Sequence, residues 1–121
     1  MDYIVNIVLQ YKKAIKIMDK QLLLDKIKQA IQAIEPQAQI FLYGSRARND
    51  AQLDSDWDIL VLVDGITNPT RTSQIRRQIY EIEWETEEVL CTIVRSKNQW
   101  EHPLLQTTPF WQSVNKEAIM L

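Results

Sequence analysis

Apolar residues in the first third of the chain recur at intervals of three and four. Ile4, Ile7, Val8, Tyr11, Ala14, Ile15 and Met18 form one such stripe, which predicts a helix over residues 3–18. Leu23, Leu24, Ile27, Ala30, Ile31 and Ile34 form a second, predicting another helix with Asp19 as its N-cap, ended by Pro36. The pattern then changes. Residues 40–43 are a short apolar run halted by Gly44, and residues 57–63 are apolar at every position but Asp58, so both read as buried strands. A polar stretch, residues 46–55, separates them. Asn68-Pro69 opens a helix that carries Ile75, Ile79 and Ile82 and fades near residues 85–87. Residues 89–94 read as a third strand, the segment holding His102, Pro103 and Pro109 as irregular, and residues 110–118 as a short last helix. The order helix, helix, strand, strand, helix, strand, helix describes one α+β domain with a small sheet covered by helices.

Composition narrows the setting. With 121 residues the chain is long enough to bury a core without disulfides or a structural metal. A hydrophobic content of 45% and a charged content of 25% exclude disorder, collagen-like repeats and a coiled-coil rod for most of the chain. The formal charge of −2 argues against gripping nucleic acid by bulk charge, so nucleic acid is not expected as a direct ligand. Cys91 is the single cysteine; no intrachain disulfide can form, and a reducing, cytoplasmic setting is expected. Residues 1–9 carry Asp2 and lack a basic leader, so they do not read as a signal peptide, and no apolar run has membrane-spanning length. Residues 1–18 are expected to be a helical extension and residues 19–121 the domain proper.

The candidate chemistry lies between residues 44 and 58. Gly44, one of only two glycines, stands before Ser45 at a strand end. Such a turn is either a plain connection or an anion nest of backbone N–H groups with the serine hydroxyl as an extra donor. Asp56 and Asp58 are two apart on a strand, so both carboxylates share one face with Cα atoms about 6.5–7 Å apart. Either solvent and backbone donors satisfy them, or a hard divalent cation such as Mg²⁺ relieves their desolvation and repulsion. Two other motifs fail on spacing. An EF-hand beginning at Asp54 needs Gly at its sixth position and Glu at its twelfth, where this chain has Ile59 and Gly65, and no Gly-Lys-Ser/Thr follows Gly44 to make a Walker A loop. Arg95 and His102 loosely match the Arg…His pair of HEPN ribonucleases, but that family is all-helical and these residues end a strand and enter a loop.

Phe41-Leu42-Tyr43-Gly44-Ser45-Arg46-Ala47-Arg48, followed by Asp56-Trp57-Asp58-Ile59-Leu60-Val61, resembles the minimal nucleotidyltransferase (MNT) group of the DNA polymerase β superfamily. Its signature is Gly-Ser, ten residues, then Asp-x-Asp, and residues 44–58 match without a gap. The resemblance implies a polymerase β-like nucleotidyltransferase fold, a small mixed sheet covered by helices, over residues 19–121. It implies that Gly44 and Ser45 hold the triphosphate of ATP or another NTP, with Arg46 or Arg48 neutralising its charge. Asp56 and Asp58 would be the catalytic pair that ligates two Mg²⁺ ions, which stabilise the attacking and leaving oxygens of an in-line displacement.

The implied reaction moves NMP, expected to be AMP, to an acceptor hydroxyl, and in similar MNT antitoxins that acceptor is a tyrosine of an all-helical HEPN toxin. A catalytically decayed steric antitoxin and an aminoglycoside-type small-molecule enzyme are the other readings; the chain is small for the latter's additional substrate-binding domain. Active superfamily members usually add a third carboxylate from the next strand. Here residues 89–94 contain none; Glu83, Glu85, Glu87 and Glu88 could substitute but are expected to face solvent at a helix end, and Cys91 is expected in the core rather than as a metal ligand. Trp84, Trp100, Phe110 and Trp111 lie outside the strands, so part of an apolar surface is expected to remain for self-association or a helical partner, with no membrane involved.

Overall fold

A computed structural model describes residues 2–52 and 54–121, and the side chains of residues 16–18 fall outside the description. Met18 of the first apolar stripe and Leu53 of the polar stretch are therefore not assigned surroundings. The chain runs α1 (Asp2–Ile34), β1 (Gln39–Tyr43), α2 (Ser45–Arg48), β2 (Trp57–Val63), α3 (Pro69–Thr86), β3 (Leu90–Ser96), α4 (Lys97–Trp100), α5 (Pro103–Gln106), α6 (Pro109–Glu117) and β4 (Ile119–Met120). The strands form a mixed sheet in the order β3-β2-β1-β4. β2 and β3 are parallel, while β1 is antiparallel to both β2 and β4.

The two helices expected over residues 3–34 are one, α1. No Gly or Pro interrupts residues 15–24, so the backbone donors of Asp19 stay inside a continuous ladder and no cap is needed there. Its two halves differ in burial. Leu23, Leu24, Ile27 and Ile31 are buried, whereas Tyr3, Ile4, Val8 and Tyr11 are exposed. The segment after β3, expected to be irregular, instead folds into short helices. Ser96 and Gln99 form a capping box at α4, and His102 Nδ1 accepts from Leu104 N at 3.1 Å at the start of α5. A terminal strand was not expected either: β4 is only two residues long, too short to show an alternation.

Period-two alternation sorts β2 onto two cores. Trp57, Ile59, Val61 and Val63 pack with Leu23, Ile27 and Ile31 of α1 and Ile75, Ile79 and Ile82 of α3. Leu60 and Leu62 face the other way, onto Tyr43 and Val114, with Phe41, Ile93 and Trp100 at the margin. Phe110 meets Tyr43 and Trp100 edge-on, with ring centroids 5.9 and 6.1 Å apart, and Trp111 Nε1 donates to the Trp100 carbonyl at 3.0 Å. Of the tail aromatics, Trp100 packs against the second core and Phe110 stays 42% exposed, while Trp84, beside Tyr80 on α3, is 72% exposed. Arg71 joins the layers: Nε and Nη2 donate to the two oxygens of Glu35 at 2.6 and 2.7 Å, and Nη1 to the Asp64 carbonyl at 2.6 Å. Among the described residues no helix is long and apolar enough to cross a membrane.

Candidate active site

Gly44 ends β1 with φ +71° and ψ −158°, a conformation that suits glycine alone. Its carbonyl accepts from Ala47 N at 3.0 Å and Arg48 N at 3.1 Å, turning the chain into α2. The register sets Tyr43 opposite Asp58 on β2, and Asp58 beside Cys91 on β3. One edge of the sheet thereby gathers Gly44, Asp56, Asp58 and Cys91. They lie at the mouth of the second sheet face, away from α1 and α3.

Within this group Asp58 is half-buried and Asp56 exposed. Burial first, and then the charge of Asp56, push the Asp58 carboxyl above the usual aspartate range; Glu117 adds to the effect and Arg48 opposes it. Burial pushes the Tyr43 hydroxyl up to about 12, helped by the charge of Asp58 and by Cys91. Cys91 is exposed, contrary to the expected core position. Leu90 and Val94 take the helix-facing core positions of β3, and alternation leaves Cys91 on the face where its strand end is uncovered. Its Sγ donates to Asp56 Oδ2 at 3.4 Å. Burial and this hydrogen bond raise the thiol pKa.

The two arginines after Ser45 have separate tasks. Arg46 donates from Nε and Nη2 to the Ser55 carbonyl at 3.3 and 2.8 Å and stacks 4.3 Å over the Trp57 ring. It closes the loop that delivers Asp56 to the start of β2. Arg48 lies on the turn side, where Nη1 donates to Glu117 Oε2 at 2.8 Å and Nε to Asp50 Oδ2 at 3.1 Å.

Glu117 is the acidic residue that the sequence pattern did not single out. It is the last residue of α6, and its Oε1 accepts from Gly44 N at 3.2 Å across 73 residues of chain. Of the four glutamates near β3, expected to face solvent, Glu83 and Glu88 are instead half-buried in contacts of their own, while Glu85 and Glu87 are exposed. Glu83 accepts from Leu90 N at 3.0 Å, Glu85 pairs with Lys26, Glu88 accepts from Trp57 Nε1 at 2.9 Å, and Glu87 is an exposed left-handed C-cap.

Among the described residues no three His, Cys, Asp or Glu side chains are arranged to hold a cation between them. Asp56 and Asp58 are a two-carboxylate set. Such a set fits Mg²⁺, which keeps several waters and takes further oxygens from a bound phosphate. Their mutual repulsion is the charge that a cation would neutralise. A cavity of about 770 Å³ opens on the helix side of Trp57, lined by Lys13, Lys20, Lys26, Arg46 and Glu88 among others, and it contains neither aspartate.

A comparison with curated proteins gives no match. A comparison with protein families matches the nucleotidyltransferase domain over residues 24–109, which includes the Gly44 turn, both aspartates and the mixed sheet that aligns them. Domains of that kind use a nucleoside triphosphate and a divalent metal to transfer NMP. Geometry and family agree on the polymerase β-like architecture, and the chain belongs to the nucleotidyltransferase domain family.

Proposed function

We propose that this domain transfers NMP, with ATP the expected donor, to an acceptor hydroxyl in a Mg²⁺-dependent reaction centred on Asp56 and Asp58. The observation that carries this reading is the pair itself: Asp56 just before β2 and Asp58 in it, close enough for the charge of one to act on the other, beside a glycine turn whose backbone lies against Asp58. Asp56 and Asp58 would hold Mg²⁺, which would supply charge neutralisation for the displacement at phosphorus. Gly44 and Ser45 present the turn to the phosphates, Arg48 brings a guanidinium to its edge, and Arg46 holds the loop through Ser55 and Trp57. The acceptor oxygen bonds to the α-phosphorus and the bond from that phosphorus to the bridging oxygen breaks. Pyrophosphate takes the electron pair. The acceptor proton passes to bulk water on the open side, where Asp56 is exposed.

Exposure of Asp56 and Cys91 supports an acceptor carried on another macromolecule's surface. In this reading it is a tyrosine hydroxyl of an all-helical HEPN partner, and the domain is an MNT-type antitoxin. Cys91 at the register position beside Asp58, where a third carboxylate would complete the set, favours a second reading, a steric antitoxin that binds without transferring.

Incubation with α-labelled ATP, Mg²⁺ and candidate acceptor proteins separates the two. Label on an acceptor tyrosine, absent with Asp56→Ala/Asp58→Ala, is the expected result. A stable complex with no adduct would favour the steric reading, and equal labelling by the double variant would remove the pair from the chemistry.

A further inference from the structure

A carboxylate already occupies the donors that a phosphate would use. Glu117 Oε1 accepts from the Gly44 N–H at 3.2 Å and Oε2 from Arg48 Nη1 at 2.8 Å, so one side chain bridges the turn and its nearest guanidinium. The placement is built rather than incidental. Val114 is buried in the second core and anchors α6, and Ala118 N donates back to the Val114 carbonyl at 2.8 Å. Ile119 and Met120 pair with Leu42 and Phe41 on β1, and Leu121 N donates to the Ile40 carbonyl at 2.9 Å. These contacts pin the end of α6 beside the last residues of β1. The Glu117 side chain is 18% exposed. It lies outside residues 24–109, so the feature belongs to this chain's own C-terminal segment and not to the matched region.

Building on the nucleotidyltransferase reading, we propose that Glu117 is an internal competitor for the phosphate-binding turn: its carboxylate holds Gly44 N–H and Arg48 in the nucleotide-free protein, and the donor's polyphosphate takes them over. Two anions are not accommodated on one backbone donor, and a carboxylate beside an incoming phosphate repels it. Displacement therefore subtracts from polyphosphate affinity. Glu117 is in this sense an affinity-setting residue that makes no bond to the reacting atoms.

The chain has two glycines, Gly44 and Gly65, so ¹⁵N-glycine labelling of the full-length protein yields two amide signals. Titration with metal-free inorganic tripolyphosphate should move the Gly44 signal and leave that of Gly65, which lies at the opposite end of β2. Calorimetry should show Glu117→Gln binding tripolyphosphate roughly 3- to 10-fold more tightly than wild type, because the amide oxygen still accepts from Gly44 but carries no charge. Asp50→Asn removes a charge from the other side of Arg48 without freeing Gly44, and should give a smaller gain. A Gly44 signal unmoved at saturation, unchanged or weaker binding by Glu117→Gln, an equal gain from Asp50→Asn, or no polyphosphate binding by any variant would each overturn the proposal. Failure of the catalytic reading is seen separately, as Mg²⁺–nucleotide binding that survives Asp56→Ala/Asp58→Ala.

Discussion

The Asp58 carboxylate rests directly on the Cα of Gly44. A Cβ built at Gly44 would lie 3.2 Å from Asp58 Cγ, 3.4 Å from its Cβ and closer still to Oδ2. The glycine of the turn and the half-buried aspartate of the pair are thus one packing unit. The positive φ of Gly44 adds a second reason for the residue.

Gly44→Ala should therefore damage the carboxylate pair before it obstructs any phosphate. The strain and the displaced Asp58 together should cost roughly 1–3 kcal/mol by urea denaturation. Titration with Mn²⁺ and a non-hydrolysable nucleotide should show weakened binding of the metal as well as of the nucleotide. Normal metal binding with only nucleotide binding lost would place the glycine's role in the turn alone.

Asp58 makes a pH prediction with a definite sign. Its carboxyl is held above the ordinary value of 3.8, so the folded protein retains a proton that the unfolded chain has released. This contribution to stability is present at low pH and is lost as pH rises from 3.8 through the raised folded value. In chelator-treated protein, Asp58→Asn should raise the melting temperature at neutral pH relative to wild type, with the gap closing towards acid. A gap constant with pH would show that charge is not the cause.

Glu35 titrates in the opposite sense. The hydrogen bonds from Arg71, opposed by burial, hold its carboxyl below the ordinary 4.5, so its stabilisation is present above that value and is lost as pH falls through the lowered one. Arg71→Ala breaks the paired contact to Glu35 and the bonds to the Asp64 and Ile66 carbonyls, and should cost roughly 2–3 kcal/mol at pH 7. Glu35→Gln should melt below wild type at pH 7 and converge with it in acid.

Cys91→Asp tests the open register position. A third carboxylate beside Asp56 and Asp58 adds repulsion, so metal-free protein should melt lower than wild type. Saturating Mg²⁺ should then raise its melting temperature by about 3 °C or more beyond the wild-type response. An equal Mg²⁺ response in both proteins would mean that this position does not reach the cation.

Much of the fold was legible in the order of residues. The apolar stripes of α1 and α3 and the two-faced burial of β2 follow from periods of 3.6 and 2, which are local properties. The continuity of α1 is not legible from Asp19, which is a good cap wherever a helix starts, whereas nothing in residues 15–24 makes the preceding helix stop. The exposure of Cys91 is not legible either, because an apolar strand does not announce which residue falls at an uncovered end.

By itself, the sequence determined the glycine at the end of β1, the two-residue spacing of Asp56 and Asp58, and the family those residues share; it placed Asp56 inside the strand, whereas β2 begins one residue later, at Trp57. Tertiary structure alone divided the arginines, turning Arg46 to Ser55 and Trp57 and leaving Arg48 at the turn. It alone brought Cys91 beside Asp58 and carried Glu117 across 73 residues to Gly44. The reason is physical: spacing within a strand is set by covalent geometry, whereas neighbours on other elements are set by sheet register and by how α6 seats on the second core.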